Sequence, residues 1–318
     1  MILVGKETFC DFQTIQGAVD YAEKAFSHKT VLITVLSGTY EERVTINRSD
    51  LTLKGVGSVT ITNQLGAREV DETGKELGTF RTATLYVGGS RNWIENITVV
   101  NTAGYGEVAG QALAVYADTD ETNFKRCRFI AYQDTLFTGL LPPAQKDGTA
   151  FVTQASEPEK KKYRQYYEEC FIAGSIDFIF GGATAWFHRC EIRSRKEGVR
   201  HGGYVTAAST PKDQAVGFVF TDCWLTAEPD VQEVYLGRPW RPYAKTWFIG
   251  GRYGEHIHPA GWHDWSKKEN QTTADYRVQA EQHVIDTRFP EKVSWAKWKT
   301  SPIDPTAIFP DTDFYKKQ

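Results

Sequence analysis

Residues 170–190 read CFIAGSIDFIFGGATAWFHRC, a stretch that holds both a structural repeat and an anomaly. The anomaly is Asp177, set between Ile176 and Phe178-Ile179-Phe180, just before the pair Gly181-Gly182. A carboxylate among apolar side chains is expensive unless a charge or a hydrogen bond holds it. Asp177 therefore needs a partner, and two segments offer one. Tyr132-Gln133-Asp134-Thr135-Leu136 brings a second carboxylate beside an amide, and Leu236-Gly237-Arg238-Pro239-Trp240 brings a guanidinium beside a large ring. Two acids, amides and an arginine form a working set for acyl chemistry.

The two ends of the stretch carry the repeat. An aromatic residue, two polar ones and a cysteine recur at Phe124–Cys127, Tyr167–Cys170, Phe187–Cys190 and Phe220–Cys223. Phe248–Gly251 keeps the frame with glycine in the cysteine place. The step from Cys170 to Cys190 is 20 residues, which suits one turn of a parallel β-solenoid whose coils bury their apolar faces against one another. The chain has five cysteines but no CxxC pair and no His/Cys cluster at ligand spacing, so no metal is expected. Four cysteines in one register read as small buried residues stacked inside the coils. The alternative is a disulfide between Cys170 and Cys190 on adjacent coils.

Toward the N-terminus, Phe12, Ile15, Val19, Ala22 and Phe26 recur at three- and four-residue steps and predict an amphipathic helix that caps one end of the domain. Short β runs follow at Val31–Leu36, Leu51–Leu53, Val59–Ile61, Leu85–Val87 and Ile94–Val100, punctuated by Gly, Asn, Asp and Ser. With 41% hydrophobic and 13% aromatic residues in 318, the composition is globular and supplies a large core. A net charge of -3 argues against nucleic-acid binding, which calls for a basic face, and no apolar run is long enough to predict a membrane-spanning helix. A monomer is expected. The start, Met-Ile-Leu-Val-Gly-Lys, lacks the features of a signal peptide, which leaves two readings: a leader already removed, or action inside the cell.

Three ordered blocks, Tyr132–Leu136, Asp177–Gly181 and Leu236–Trp240, resemble the signature blocks of the pectin methylesterases (pectinesterases). Gly38-Thr39-Tyr40-Glu41-Glu42 and Gly110-Gln111-Ala112-Leu113-Ala114 add two weaker matches in the same order. The similarity is strongest over residues 11–265. It implies an all-β fold, a single-stranded right-handed parallel β-helix, here with the N-terminal capping helix and an irregular C-terminal tail over 266–318. One domain, 1–318, is expected. The implied activity is hydrolysis of the methyl esters of galacturonate in pectin, without a cofactor.

The resemblance also implies roles. Asp177 is the nucleophile, held ionised by Arg238; Asp134 is the general acid and then the general base; Gln111 and Gln133 stabilise the oxyanion. Thr79, Gln111, Arg238, Trp240, Phe180 and Trp262 are the implied substrate contacts, with Trp265 beside Trp262 in a block near the cleft. The histidines His188, His201, His256, His258 and His263 lack the spacing of a metal site or a serine triad, and no Gly-x-Ser-x-Gly elbow is present. Rival readings are a pectate lyase or polygalacturonase on the same solenoid, an esterase or thioesterase of altered substrate, and a non-catalytic carbohydrate-binding solenoid.

Asp134 and Asp177 lie 43 positions apart, about one coil more than the 20-residue repeat. Stacked strands cannot absorb such a surplus without losing register, so Thr138–Arg164 is expected to leave as a loop that forms a cleft wall, with Lys160, Lys161 and Lys162 facing carboxylates of the polymer.

Overall fold

The computed structural model describes residues 1–26, 29–153, 162–199, 202–298, 304 and 307–316. The chain winds as a right-handed parallel β-helix: every strand pairing between successive coils is parallel, and the central coils each contribute one strand to each of three faces. The face that carries Asp177 is a seven-stranded sheet running in coil order through Val44–Ile46, Leu85–Val87, Val115–Ala117, Leu136–Thr138, Ile176–Gly181, Gly203–Ala208 and Val234–Gly237.

The aromatic repeat occupies the second face. Ile94, Phe124, Tyr167, Phe187, Phe220, Phe248 and Val278 pair in register from coil to coil. Their rings stack at 4.8 Å for Phe124–Tyr167, 4.5 Å for Tyr167–Phe187, 4.5 Å for Phe187–Phe220 and 4.4 Å for Phe220–Phe248, with planes within 11° of parallel. These separations match the spacing of hydrogen-bonded strands, about 4.8 Å, so a planar ring on each coil fills the interior without a void.

The rest of the motif makes the turn to the third face. The residue two places after the stacked one holds a left-handed conformation on each of these coils: Asn96 (φ 54°), Arg126 (51°), Glu169 (53°), Arg189 (52°), Asp222 (54°) and Gly250 (66°). The chain bends there, which is why the run Ile94–Val100, expected as one strand, divides into Trp93–Glu95 and Thr98–Asn101. Leu51–Leu53 and Val59–Ile61, expected as two strands, form the single strand Leu51–Asn63. The cysteine thiols of the repeat then donate to the carbonyl of the stacked residue on the preceding coil: Cys127 to Ile94 (3.4 Å), Cys170 to Phe124 (3.3 Å), Cys190 to Tyr167 (3.4 Å) and Cys223 to Phe187 (3.4 Å). All five cysteines are buried and free, Cys170 and Cys190 included.

The helix Ile15–Ala25 lies over the first coils and buries Ile15, Ala18, Val19 and Ala22. The Thr14 hydroxyl accepts from the Gly17 amide, and the Glu42 carboxylate accepts from the amides of Ile15 (2.8 Å) and Gln16 (2.9 Å), so the first-turn donors are satisfied and the negative charge sits at the positive helix end. At the other end the strand Asp275–Gln279 pairs with Lys245–Ile249, and Lys297–Trp298 pairs with it in turn. These two strands extend the solenoid beyond residue 265. The described residues of the last stretch return along the outside, where Ile308, Phe309 and Phe314 cover Tyr166, Trp186 and Trp247.

Candidate active site

The outer surface of the Asp177 sheet is aromatic. Tyr86, Tyr116, Phe137, Phe180 and Ala207 share one register position on successive coils and cluster with Phe80. Tyr86–Tyr116 (5.2 Å), Tyr116–Phe137 (4.8 Å) and Phe137–Phe180 (4.9 Å) meet edge-on or tilted and build a rigid floor. Above it opens a cavity of about 640 Å³ lined by Thr79, Gln111, Gln133, Asp134, Asp177, Phe180, Arg238 and Trp240, among others. Of the expected site residues, only Trp262 lies outside it.

Asp134 and Asp177 reach the cavity through an unusual backbone. Asp134 has φ 65° and Asp177 φ 49°, the left-handed region that few residues other than glycine enter and that Asp and Asn tolerate best. The amide of Asp134 donates to the carbonyl of Ile176 at 3.0 Å, which fixes one carboxylate beside the other. At Asp177 the pairing with the next strand slips between Ile176 and Ile179, and this irregularity turns the side chain outward from a strand that is otherwise fully buried.

Arg238 supplies the partner that Asp177 requires. Its Nε donates to Asp177 Oδ1 at 2.8 Å and its Nη2 to Oδ2 at 2.7 Å, a bidentate pair. The guanidinium itself is clamped between two rings, 3.7 Å from the centroid of Tyr204 and 3.8 Å from that of Trp265. Gly237 precedes it because a Cβ there would come within 2.0 Å of Thr206 Oγ1. Gly237, and with it Arg238, can thus sit close on the preceding coil.

The two acids differ electrostatically. Burial pushes Asp134 well above the usual carboxylate range, the charge of Asp177 pushes it further, and Arg238 opposes both. Among the described residues nothing donates a hydrogen bond to its carboxyl group. Burial also raises Asp177, but the bonds and charge of Arg238 pull directly against it. The pair therefore favours a neutral Asp134 beside an ionised Asp177. Gln111 and Gln133, half-buried on neighbouring coils and linked through the Ala112 amide and the Gln133 carbonyl (3.2 Å), have side-chain amides with no hydrogen bond among the described residues. Their N–H groups remain available to a charge that develops in the cavity.

The remaining expected residues divide. Thr79 stands at the rim on the short 3-10 turn Thr79–Arg81. Trp240 is half-buried, edge-on to Phe180 at 5.8 Å and to Phe151 at 6.2 Å. Phe180 belongs chiefly to the floor, with 3% of its surface exposed. Trp262 is a correction: it is 1% exposed and packs inside the solenoid against Tyr276 (4.4 Å) and Phe248 (5.8 Å), so it cannot face a sugar. The tryptophan of the block Gly261–Trp265 that lines the cavity is Trp265, placed there by left-handed conformations at Trp265 (φ 60°) and Ser266 (φ 55°).

The loop after Leu136–Thr138 does supply one wall, through Gln145, Lys146, Asp147, Phe151 and Val152. Lys160 and Lys161 lie outside the described residues, and Lys162 forms an ion pair with Asp311 of the C-terminal stretch rather than facing the cavity. Tyr204, Phe80, Phe151, Arg241 and Lys146 are site residues that no sequence block marked.

Comparison with known proteins places this architecture. Pectinesterase 1 of Solanum lycopersicum is 34% identical over 274 residues, covering 83% of this chain and 44% of its own length. Pectinesterase 2 of Citrus sinensis is 32% identical over 273 residues, covering 83% and 48%. The chain thus spans less than half the length of these relatives. The solved structure of pectin methylesterase from carrot superposes with a TM-score of 0.78 at 28% identity, over 94% of this chain and 88% of that one. The pectinesterase family profile matches residues 1–141 and 160–314, and the chain belongs to that family.

Proposed function

We propose that this protein hydrolyses methyl esters of galacturonate residues in homogalacturonan, releasing methanol and leaving free carboxylates. The observation that carries the proposal is the asymmetric acid pair: two buried carboxyl groups side by side, of which Asp177 alone is gripped by Arg238.

In the proposed sequence Asp177 attacks the ester carbonyl, and the oxyanion that forms accepts hydrogen bonds from the side-chain amides of Gln111 and Gln133. As the C–O bond to the methoxy group breaks, Asp134 gives up its proton and methanol departs, leaving an acyl-enzyme anhydride on Asp177. Asp134, now ionised, takes a proton from water as that water attacks the substrate carbonyl. Collapse expels the Asp177 carboxylate, frees the galacturonic acid and leaves Asp134 protonated again. Trp240 and Thr79 border the space a polymer chain would occupy.

The test is a product assay on methylated homogalacturonan that follows methanol, reducing ends and unsaturated ends together. Methanol alone supports the proposal. New reducing ends or unsaturated ends in proportion to turnover would instead identify a glycosidase or a lyase.

A further inference from the structure

The most deeply buried carboxylate among the described residues is neither Asp134 nor Asp177 but Glu197, 1% exposed, on the connection from Glu191–Ser194 to Gly203–Ala208. No sequence block marks it, and the proposed reaction does not use it. A carboxylate so far from water has to be held by donors. Glu197 takes them from two earlier coils: the Ser175 hydroxyl donates to Oε2, and the Glu107 amide donates to Oε1 at 3.3 Å.

Both donors lead to Gln133. Ser175 gives its own amide to the carbonyl of Tyr132, the residue before Gln133, at 3.0 Å. Glu107 stands in the short helix Gly106–Ala109, whose first residue is buried against the glutamine side chain. A Cβ on Gly106 would come within 2.4 Å of Gln133 Oε1, 2.8 Å of Gln133 Cβ and 3.2 Å of Glu197 Oε1. The far end of the helix is held as well, by Arg68 Nη1, which donates to the carbonyls of Glu107 and Val108. An oxyanion donor is effective only when it is aimed before charge develops. The Gln133 amide makes no hydrogen bond among the described residues that would aim it, so its orientation depends on the backbone of Gly106 packed against it.

We propose that Glu197 is a positioning residue for Gln133: by tying the Gly106 helix to Ser175 across the coils, it keeps the wall behind the Gln133 amide in place and the amide N–H groups turned to the cavity. The proposal rests on the esterase reading, which gives Gln133 an oxyanion to meet, but the positioning is a matter of packing and can be measured without turnover.

The experiment compares E197A, E197Q, Q133A and E197A/Q133A, with rates on methylated homogalacturonan expressed per folded molecule. Q133A is expected to lose about a hundredfold in kcat, the scale of one oxyanion donor. E197A is expected to lose about tenfold in kcat with KM within a factor of about two, since a misplaced donor is missed only as charge develops. E197Q, whose side chain can accept from the Glu107 amide and donate to the Ser175 hydroxyl, should recover most of that loss. In the Q133A background the E197A change should cost nothing further in kcat, because the group it acts through is already gone. Should E197A fail to fold, E197D, which keeps the charge one methylene short of its donors, is read in the same way. Parental kcat in the alanine variant, or the same loss whether or not Gln133 is present, overturns the positioning role. The side-chain amide resonance of Gln133, identified by its disappearance in Q133A, reads the geometry directly: it should shift in E197A and return in E197Q, and an unmoved resonance in E197A also overturns the role. Absence of methanol release by the parent overturns the esterase reading instead, and the resonance still decides the positioning.

Discussion

Asp134 and Asp177 stand two residues before Leu136 and Ile179, which pair directly on neighbouring coils, and both hold left-handed backbone conformations. Two carboxyl groups are thereby brought together on the outer face of a solenoid whose regular strands would bury one or both. Because Asn accepts this conformation as readily as Asp, amide substitutions test the chemistry without disturbing the fold.

Asp134→Asn gives the pH dependence its sign. Burial and the charge of Asp177 hold this carboxyl in the folded protein well above its ordinary value of 3.8, so the native state binds protons more tightly than the unfolded chain. Its stabilising contribution is present below that value and is lost as pH rises through the raised folded pKa. Thermal melts should find D134N more stable than the parent at neutral pH, with the gain shrinking toward zero as pH falls to 3.8 and below. A gain that is independent of pH contradicts the assignment.

The same pair predicts a bell-shaped profile of kcat/KM. The acid limb follows protonation of Asp177 and the alkaline limb follows loss of the proton from Asp134, the two limbs belonging to the coupled pair. D134N should retain little activity at any pH, and a profile without an alkaline limb in the parent would remove Asp134 as the acid.

Arg238→Lys keeps the charge but loses the two-pronged grip and the flat surface between Tyr204 and Trp265. The expected loss is about a hundredfold in kcat/KM, ~2.7 kcal/mol of barrier, with the protein still folded. Turnover within a factor of about two of the parent would show that charge alone suffices.

The interior column has a structural consequence only. Phe187 is fully buried between Tyr167 and Phe220, so Phe187→Ala should cost about 3–5 kcal/mol of stability in denaturant unfolding. Activity per folded molecule should be unchanged below the transition. A cost under ~1 kcal/mol would mean that the stack is not the core it resembles.

Much of this was legible in the sequence because a solenoid repeats its own logic. The aromatic-x-x-Cys frame is a stacked ring followed by a left-handed turn and a small residue, and the excess spacing between the two aspartates marks where the loop leaves. The pairing of Asp177 with Arg238 follows from the cost of an unpartnered carboxylate. What escaped was set by backbone conformation rather than residue type. Trp262 and Trp265 look equivalent in Gly261–Trp265, yet left-handed residues at the end of that block turn one ring inward and the other to the cavity. Tyr204 clamps Arg238 across coils with no signal in its own neighbourhood, and the strand Asp275–Gln279 is too polar at its ends to announce that it extends the column.

The central claim is that the ionised Asp177 attacks the ester. Methanol release from highly methylated homogalacturonan by the parent chain and by Asp177→Asn, with circular dichroism to verify equal folding, tests it most directly. The account predicts steady release by the parent and a loss of at least about a thousandfold in D177N. Retention of more than about a tenth of the parental rate, a change of only ~1.4 kcal/mol in barrier, by a folded D177N would contradict it.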